Sequence, residues 1–295
     1  MPPSPTQRRC TTAYEAEPEA VRSRRPVRER GPRHGLSAGT DLTGDGLGDV
    51  VIGREDGEVR LVIASGMPGP DTLLPDTNII VGNLLHPGGA VDASGDLDGD
   101  GLSDVLLRSL NGERAWGVLG PVSGTINTDD AWFATHDGRD LGVAQAGDFD
   151  GDGQGDLLLV LPAVDADNAG EIQPYGLGLL YTGLTRGGAS IDELPDRVRG
   201  LSDSNIESMA APGDIDGDGL SDVTLGSQDA EGDGRVWWLP GPVTGDHDID
   251  SFTHGLAGGQ VGYRLAAPGD LDGDLAPDLL AFGDDILWVV GGVQP

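Results

Sequence analysis

Short runs of aliphatic residues recur along this chain, and each run is bounded by turn-forming residues. The runs follow Asp49, Asp104, Asp156, Asp222 and Asp278 and contain three or four residues, as in Asp156-Leu157-Leu158-Leu159-Val160. They are too short for helices and lack polar alternation, which favours strands buried on both faces. The pattern predicts an all-β protein built from a repeated unit.

Each unit follows one plan of four predicted strands. A run of small and apolar residues leads through an acidic loop into the aliphatic strand, and a polar turn then gives a third strand. The third strands are predicted at 58–63, 114–119, 175–181, 235–239 and 286–290, and more polar fourth strands at 79–81, 132–134, 197–199 and 252–254. Four strands per unit at this period are typical of a β-propeller blade.

The units set the expected domain organisation. They lie near residues 36–90, 91–142, 143–208, 209–264 and 265–295, and together form one predicted propeller domain over 36–295. A closed ring of five blades is favoured, and a fragment of a seven-bladed propeller is the alternative. The fifth unit has no fourth strand of its own, so residues 25–30 are the candidate donor that closes the ring. Residues 1–35, rich in Arg and Pro, are otherwise expected to form a disordered or poorly ordered lead-in.

The acidic loop preceding each aliphatic strand carries the candidate chemistry. Asp residues occupy alternate positions 1, 3 and 5, Gly occupies position 6, and a further Asp occupies position 9. Alternation places oxygen ligands on one side of a tight turn, and a hard oxygen cage in a flexible loop selects Ca²⁺. The candidate ligands, with position 7 contributing its backbone carbonyl, are Asp41, Thr43, Asp45, Leu47 and Asp49; Asp96, Asp98, Asp100, Leu102 and Asp104; Asp148, Asp150, Asp152, Gln154 and Asp156; Asp214, Asp216, Asp218, Leu220 and Asp222; and Asp270, Asp272, Asp274, Ala276 and Asp278.

The five loops differ in quality. Those that begin at Asp96, Asp148 and Asp214 are complete and are expected to be strong sites. The first loop has Thr43 at position 3 and so lacks one anionic ligand. The last has Leu275 where the turn requires Gly, because a residue with a Cβ atom is disfavoured at positive φ.

Net charge limits the possible partners. The formal charge is −32, from 50 acidic and 18 basic residues. Such a surface repels nucleic acid and anionic membranes, so cations are the natural partners. The single Cys10 excludes an intramolecular disulfide framework, and neither a membrane-spanning apolar run nor a visible signal peptide occurs.

The loops and the residues before them resemble a known family. A Gly-Asp-x-Asp-Gly-Asp-Gly loop preceded by Ala-Ala-Pro, at 210–212 and 266–268, and by Gly262-Tyr263 in the last unit, resembles the FG-GAP repeats of integrin α-subunits and their bacterial relatives. The resemblance implies a β-propeller with calcium between the first and second strands of the blades. It also implies an extracellular or cell-surface location and a role in adhesion. The integrin headpiece has seven blades, whereas five loops are visible here.

The sequence is compatible with several functions. The favoured one is a non-enzymatic, calcium-binding propeller that recognises a protein or glycan, with metals that hold the loops in shape. The alternatives are an accessory or catalytic module of a carbohydrate-active enzyme and a structural scaffold. No Cys-His pairing is present to support catalysis. The Trp residues at 116, 237, 238 and 288 are expected to pack between blades; because Trp237 and Trp238 are adjacent and face opposite ways, exposure of one of the two for binding is the alternative.

Overall fold

The protein is a repeated all-β structure. The computed structural model describes residues 7–9, 33–38, 41–44, 46, 48–54, 58–62, 78–81, 87–93, 95–109, 114–136, 142–161, 177–182, 187, 196–200, 206, 208–284 and 286–293. In this part of the chain the helical elements are three-residue 3₁₀ turns at Thr128–Asp130, Ala230–Gly232 and Ile249–Ser251. None of them approaches the length or apolar character that a membrane-spanning helix needs.

Five antiparallel sheets, here called blades 1 to 5, follow one another along the chain. Blade 1 contains β2 (Arg33–Ala38), β3 (Val50–Arg54), β4 (Glu58–Val62) and β5 (Asn78–Val81). Blade 2 contains β6 (Pro87–Asp92), β7 (Val105–Ser109), β8 (Arg114–Val118) and β10 (Phe133–His136). Blade 3 contains β11 (Gly142–Gly147), β12 (Asp156–Leu161), β13 (Leu177–Tyr181) and β14 (Asp196–Arg199).

The last two blades repeat the same order. Blade 4 contains β15 (Ser208–Gly213), β16 (Asp222–Ser227), β17 (Arg235–Leu239) and β19 (Gly255–Ala257). Blade 5 contains β20 (Arg264–Gly269), β21 (Asp278–Gly283) and β22 (Ile286–Val290). The predicted second and third strands are confirmed in every blade, apart from small differences at their ends. The fourth strand of blade 4 was predicted at 252–254, but it lies at 255–257.

An N-terminal strand completes blade 5. Strand β1 (Gln7–Arg9) pairs antiparallel with β22, with Gln7 opposite Val290 and Arg9 opposite Trp288. The predicted donor, residues 25–30, lies outside the described residues. Within the predicted lead-in over 1–35, the structure describes strand β1 and the start of strand β2. The sequence of β1 is polar and does not predict a strand. Its pairing uses backbone groups at an open sheet edge, which residues of any type can supply.

Two further strands join neighbouring blades. Strand β9 (Thr125–Asn127) runs parallel to β5 at the edge of blade 1, and β18 (Asp246–Asp248) runs parallel to β14 at the edge of blade 3. Both belong to segments that begin with Gly-Pro-Val-x-Gly and end in a 3₁₀ turn, residues 120–130 and 241–251, here called straps. Each strap leaves the third strand of its own blade and extends the preceding blade. The hydrophobic pattern did not predict the straps.

Aliphatic faces pack between consecutive blades. Leu158, Val160 and Leu180 of blade 3 share one buried cluster with Val223, Leu225 and Trp237 of blade 4. Every residue of β12 and β16 is buried, which explains why their sequences lack polar alternation. Trp116 and Trp288 lie in or against the equivalent clusters, whereas Trp238, which is half-buried like Trp288, belongs to none of the three clusters. The prediction that the tryptophans pack between blades is therefore confirmed for three of the four.

The far face of blade 5 differs from these buried interfaces. The second loop residue is buried in the first four blades, at 0% to 2% exposure for Leu42, Leu97, Phe149 and Ile215. Its counterpart in the last blade, Leu271, is 53% exposed. The other large exposed hydrophobic side chains of the described residues also belong to this part of the chain, at Tyr263, Leu275, Phe282 and Leu287.

Candidate metal centres

The five acidic loops join the first and second strands of the blades. Because every blade has the same strand order, the loops occupy equivalent places and end on a buried Asp. In the first loop, Asp45 and Leu47 lie outside the described residues. The remaining predicted ligands are all described.

The first Asp of each loop holds the turn through its two carboxylate oxygens. In the second loop, Oδ1 of Asp96 accepts from Gly99 N at 2.8 Å, and Oδ2 accepts from Gly101 N at 2.7 Å. Asp41, Asp148, Asp214 and Asp270 make the same pair of bonds. The turn residue at position 6 has positive φ, as predicted, and in the last loop this residue is Leu275 at +72°.

The ninth residue of each loop closes it through a hydrogen bond to the second residue. Its Oδ2 atom accepts the backbone N–H of position 2 in all five loops, at 2.5 to 2.9 Å: Leu42 to Asp49, Leu97 to Asp104, Phe149 to Asp156, Ile215 to Asp222 and Leu271 to Asp278. These five carboxylates are at most 1% exposed. Position 2 is buried in the first four loops, whereas Leu271 makes the same bond while 53% exposed, so the bond fixes the loop without depending on burial of position 2.

Four of the loops bring three carboxylates together. Oxygen atoms within 4.8 Å of one another come from Asp96, Asp98 and Asp104; Asp148, Asp150 and Asp156; Asp214, Asp216 and Asp218; and Asp270, Asp272 and Asp278. The predicted Asp100, Asp152, Asp222 and Asp274 belong to the same loops but not to these triads. The position 7 residues Leu102, Gln154, Leu220 and Ala276 donate their N–H groups to the Asp at position 5.

Burial changes the acidity of the loop carboxyls. Desolvation is the main cause that raises the pKa of Asp104 and of Asp222 to about 6, although backbone N–H donors oppose it. Desolvation likewise raises the pKa of Asp156 to about 7. Burial, reinforced by neighbouring acids, also raises the pKa of Asp98 and of Asp216. The N–H of Leu275 is the largest cause that lowers the pKa of exposed Asp270.

Some ligand positions hold buried oxygen atoms without a hydrogen-bond partner. They include Oδ1 of Asp49, Asp156 and Asp278, and also Oγ1 of Thr43 at position 3 of the first loop. In blades 2 and 4 the corresponding carboxylate oxygen is satisfied, because Gly120 N donates to Asp104 Oδ1 at 2.7 Å and Gly241 N donates to Asp222 Oδ1 at 3.1 Å. A buried polar atom left unpaired costs about 1–3 kcal/mol. A cation coordinated by the cluster would remove that cost.

The donor set fits a hard cation. All members of the four triads are aspartates, without His or Cys. Carboxylate oxygens in a flexible loop are the ligands that Ca²⁺ takes, whereas imidazole and thiolate favour zinc and other transition metals. The residues of the acidic loops therefore fit the predicted Ca²⁺ ion.

Sequence comparison adds no family to this picture. The chain matches no protein-family profile and no curated protein. Its fold is similar to the crystal structure of BBS1N in complex with ARL6DN, soaked with lead, at 12% sequence identity and a TM-score of 0.46, covering 91% of this chain and 68% of that chain. The blade architecture thus rests on the strand order and register described above.

Proposed function

We propose that this chain is a calcium-binding, non-enzymatic β-propeller of the FG-GAP type, in which the metals stabilise the loops. One observation carries the proposal: buried, unpartnered carboxylate oxygens recur inside acidic loops that are in phase with the blades. An Asp that is 0% exposed and lacks a partner for one oxygen, as Asp156 does, is costly without a cation. A solvated acidic surface would not bury its charges in this way.

The role of the metal follows from the ligand count. Four aspartates and one backbone carbonyl nearly fill a calcium shell of about 6–8 oxygens. A saturated ion has little capacity left for a partner, so the metals shape the loops and recognition occurs elsewhere on the blades. Each ion would also offset charge, and five Ca²⁺ would change the formal charge from −32 to −22.

An extracellular or cell-surface location is part of the proposal. Loops with one missing ligand, such as the first, bind weakly and fill best where calcium is about 10⁻³ M. A protein or glycan would be the recognised partner, in line with the resemblance to integrin-type repeats. Nucleic acid is disfavoured by the strongly negative charge.

The ring is proposed to close between blade 5 and blade 1. Support comes from strand β1, which belongs to the sheet of blade 5 while the chain continues into blade 1. Support also comes from exposure: Val50 of blade 1 is half-buried, whereas its counterparts Val105, Leu157 and Val223 are fully buried. An exposed apolar face such as that of blade 5 is stabilised by contact with another apolar surface, and blade 1 would supply that surface.

Calcium titration of the full chain tests the function. Isothermal titration calorimetry is expected to give three tight sites and two weaker ones, with Mg²⁺ unable to compete at equal concentration. Thermal melts should show a higher Tm in calcium than in excess chelator. Absence of calcium binding, together with a melt unchanged by chelator, would overturn the proposal.

A further inference from the structure

We infer that the three complete loops differ in how much they depend on the metal: blade 3 requires calcium to hold its loop closed, whereas the straps of blades 2 and 4 supply a backbone N–H that partly substitutes for it. The inference rests on the proposed calcium function and adds a hierarchy among the sites. Ligand composition alone makes the loops at Asp96, Asp148 and Asp214 equivalent.

The difference lies at one oxygen atom of the ninth residue. Asp104 and Asp222 use both carboxylate oxygens, one for position 2 and one for the glycine of the strap. Asp156 uses only Oδ2, which accepts from Phe149 N at 2.8 Å and Asp150 N at 3.2 Å, while Oδ1 has no partner. All three side chains are 0% exposed, so bulk solvent does not reach Asp156.

The straps are built to deliver this N–H group. A Cβ atom on Gly120 would lie 2.7 Å from the carbonyl oxygen of Ser103, and one on Gly241 would lie 2.6 Å from that of Ser221. Only glycine permits the backbone to approach the loop so closely. Beyond the glycine, β9 and β18 pair with the preceding blades, which fixes each strap at both ends.

Removing the metal should therefore affect the blades unequally. In blades 2 and 4 the buried carboxylate keeps two backbone donors, and the loop retains its closed hydrogen-bond pattern. In blade 3 the unpaired anionic oxygen favours opening of the loop toward water. With chelator, the amides of Phe149 and Asp150 should exchange with solvent at least about tenfold faster than those of Leu97 and Ile215, since tenfold corresponds to the loss of one modest hydrogen bond.

Three matched substitutions test the geometry without metal. Asp104→Asn, Asp156→Asn and Asp222→Asn remove the same charge at the same loop position. In excess chelator, Asn at 156 can accept from Phe149 N through its oxygen and leave its NH₂ group at the unpartnered position. Asp104 and Asp222 each face two backbone N–H donors. An Asn at either position must therefore direct its NH₂ group at one of these donors.

The expected result in chelator is an unchanged or higher Tm for Asp156→Asn and a lower Tm for both other variants. In calcium, Asp156→Asn should lose more of its metal-induced Tm gain than either control. Equal destabilisation of all three variants in chelator, or equal exchange rates in the three loops, would overturn the inference. The chelator measurements are independent of the proposed function, which fails separately if the wild-type chain binds no calcium.

Discussion

The backbone N–H of Ser221 donates to the carbonyl oxygen of Asp148 at 2.8 Å and so ties the fourth acidic loop to the first ligand of the third. Ser103 makes the same bond to Asp41, at 3.2 Å. The last loop has Pro277 at this position and lacks the donor, although Val293 N donates to Ile215 O at 2.7 Å, as Val122 N does to Leu42 O. Ordering of one loop therefore constrains its neighbour, which makes coupled metal binding an expected property.

Replacing Ser221 by Pro should weaken this coupling. The substitution removes the donor to Asp148 while retaining a residue that the last loop accepts at the same position. We expect a loss of about 1 kcal/mol, as for one hydrogen bond, and lower calcium affinity at both the third and the fourth loops. Calorimetric titration and denaturant unfolding measure these two effects.

Ser221→Ala is the matched control, because alanine retains the backbone N–H. It should bind calcium as the wild type does. If proline lowers affinity only at the fourth loop, the loops are not coupled through this bond.

Leu275→Gly should stabilise the protein. Leu275 adopts φ +72° and is 84% exposed, so its side chain contributes little packing while its backbone is strained. Relief of the left-handed conformation contributes about 1–2 kcal/mol, and the greater freedom of glycine in the unfolded chain offsets about 0.5–1 kcal/mol of that. Urea unfolding should give a net gain of about 0.5–1 kcal/mol.

The reverse change, Gly219→Leu, provides the control for this prediction. Gly219 holds the same loop position at φ +95°, and no atom lies within 4 Å of a Cβ placed there. The substitution therefore tests backbone conformation without a steric clash, and it should destabilise by a similar amount. A neutral result for both variants would show that this turn tolerates leucine without strain.

Without metal, stability should fall as pH rises from about 4 to about 7. Burial raises the pKa of Asp104 and Asp222 to about 6 and that of Asp156 to about 7, from an ordinary value of 3.8. Across this window the folded state binds more protons than the unfolded state, so its stability decreases with increasing pH. Thermal melts in chelator should give a higher Tm at pH 5 than at pH 8.

Calcium should reverse this dependence, because it binds only the ionised carboxylates. In saturating calcium the Tm is expected to be higher at pH 8 than at pH 5. A chelated protein that becomes more stable with rising pH would contradict the assignment of these buried acids.

Sequence patterns predicted the parts of this fold that side chains specify. The aliphatic runs of β12 and β16 and the Asp spacing of the loops depend on residue type, so both could be predicted. Strand β1 could not, because the sequence Gln7–Arg9 is polar and has no aliphatic run, whereas its pairing with β22 is a backbone register.

The difference among the three complete loops could not be predicted from the sequence, for a similar reason. The three complete loops have matching acids, and their difference arises from Gly120 and Gly241, which lie 16 and 19 residues beyond Asp104 and Asp222. The repeated Gly-Pro-Val-x-Gly motif was a visible signal for the straps. Its bond to the ninth Asp of the loop was not visible, since backbone N–H groups carry no sequence signature.

Leu287→Asp tests whether blade 5 closes the ring on blade 1. Leu287 lies opposite Phe282 and is 36% exposed, whereas its counterpart in blade 4, Val236, lies opposite Gly226 and is 1% exposed. If blade 1 covers this face, a charge at position 287 should destabilise by about 2–4 kcal/mol, as burial of an unpaired charge does. On an open face, the cost should remain within about 0.5 kcal/mol. Val236→Asp sets the scale for a fully buried site. Urea unfolding at two protein concentrations shows whether blade 1 or a second copy of the chain covers this face. Ring closure predicts a loss of unfolding free energy that does not depend on protein concentration. A loss that depends on concentration would show that a second copy covers the face.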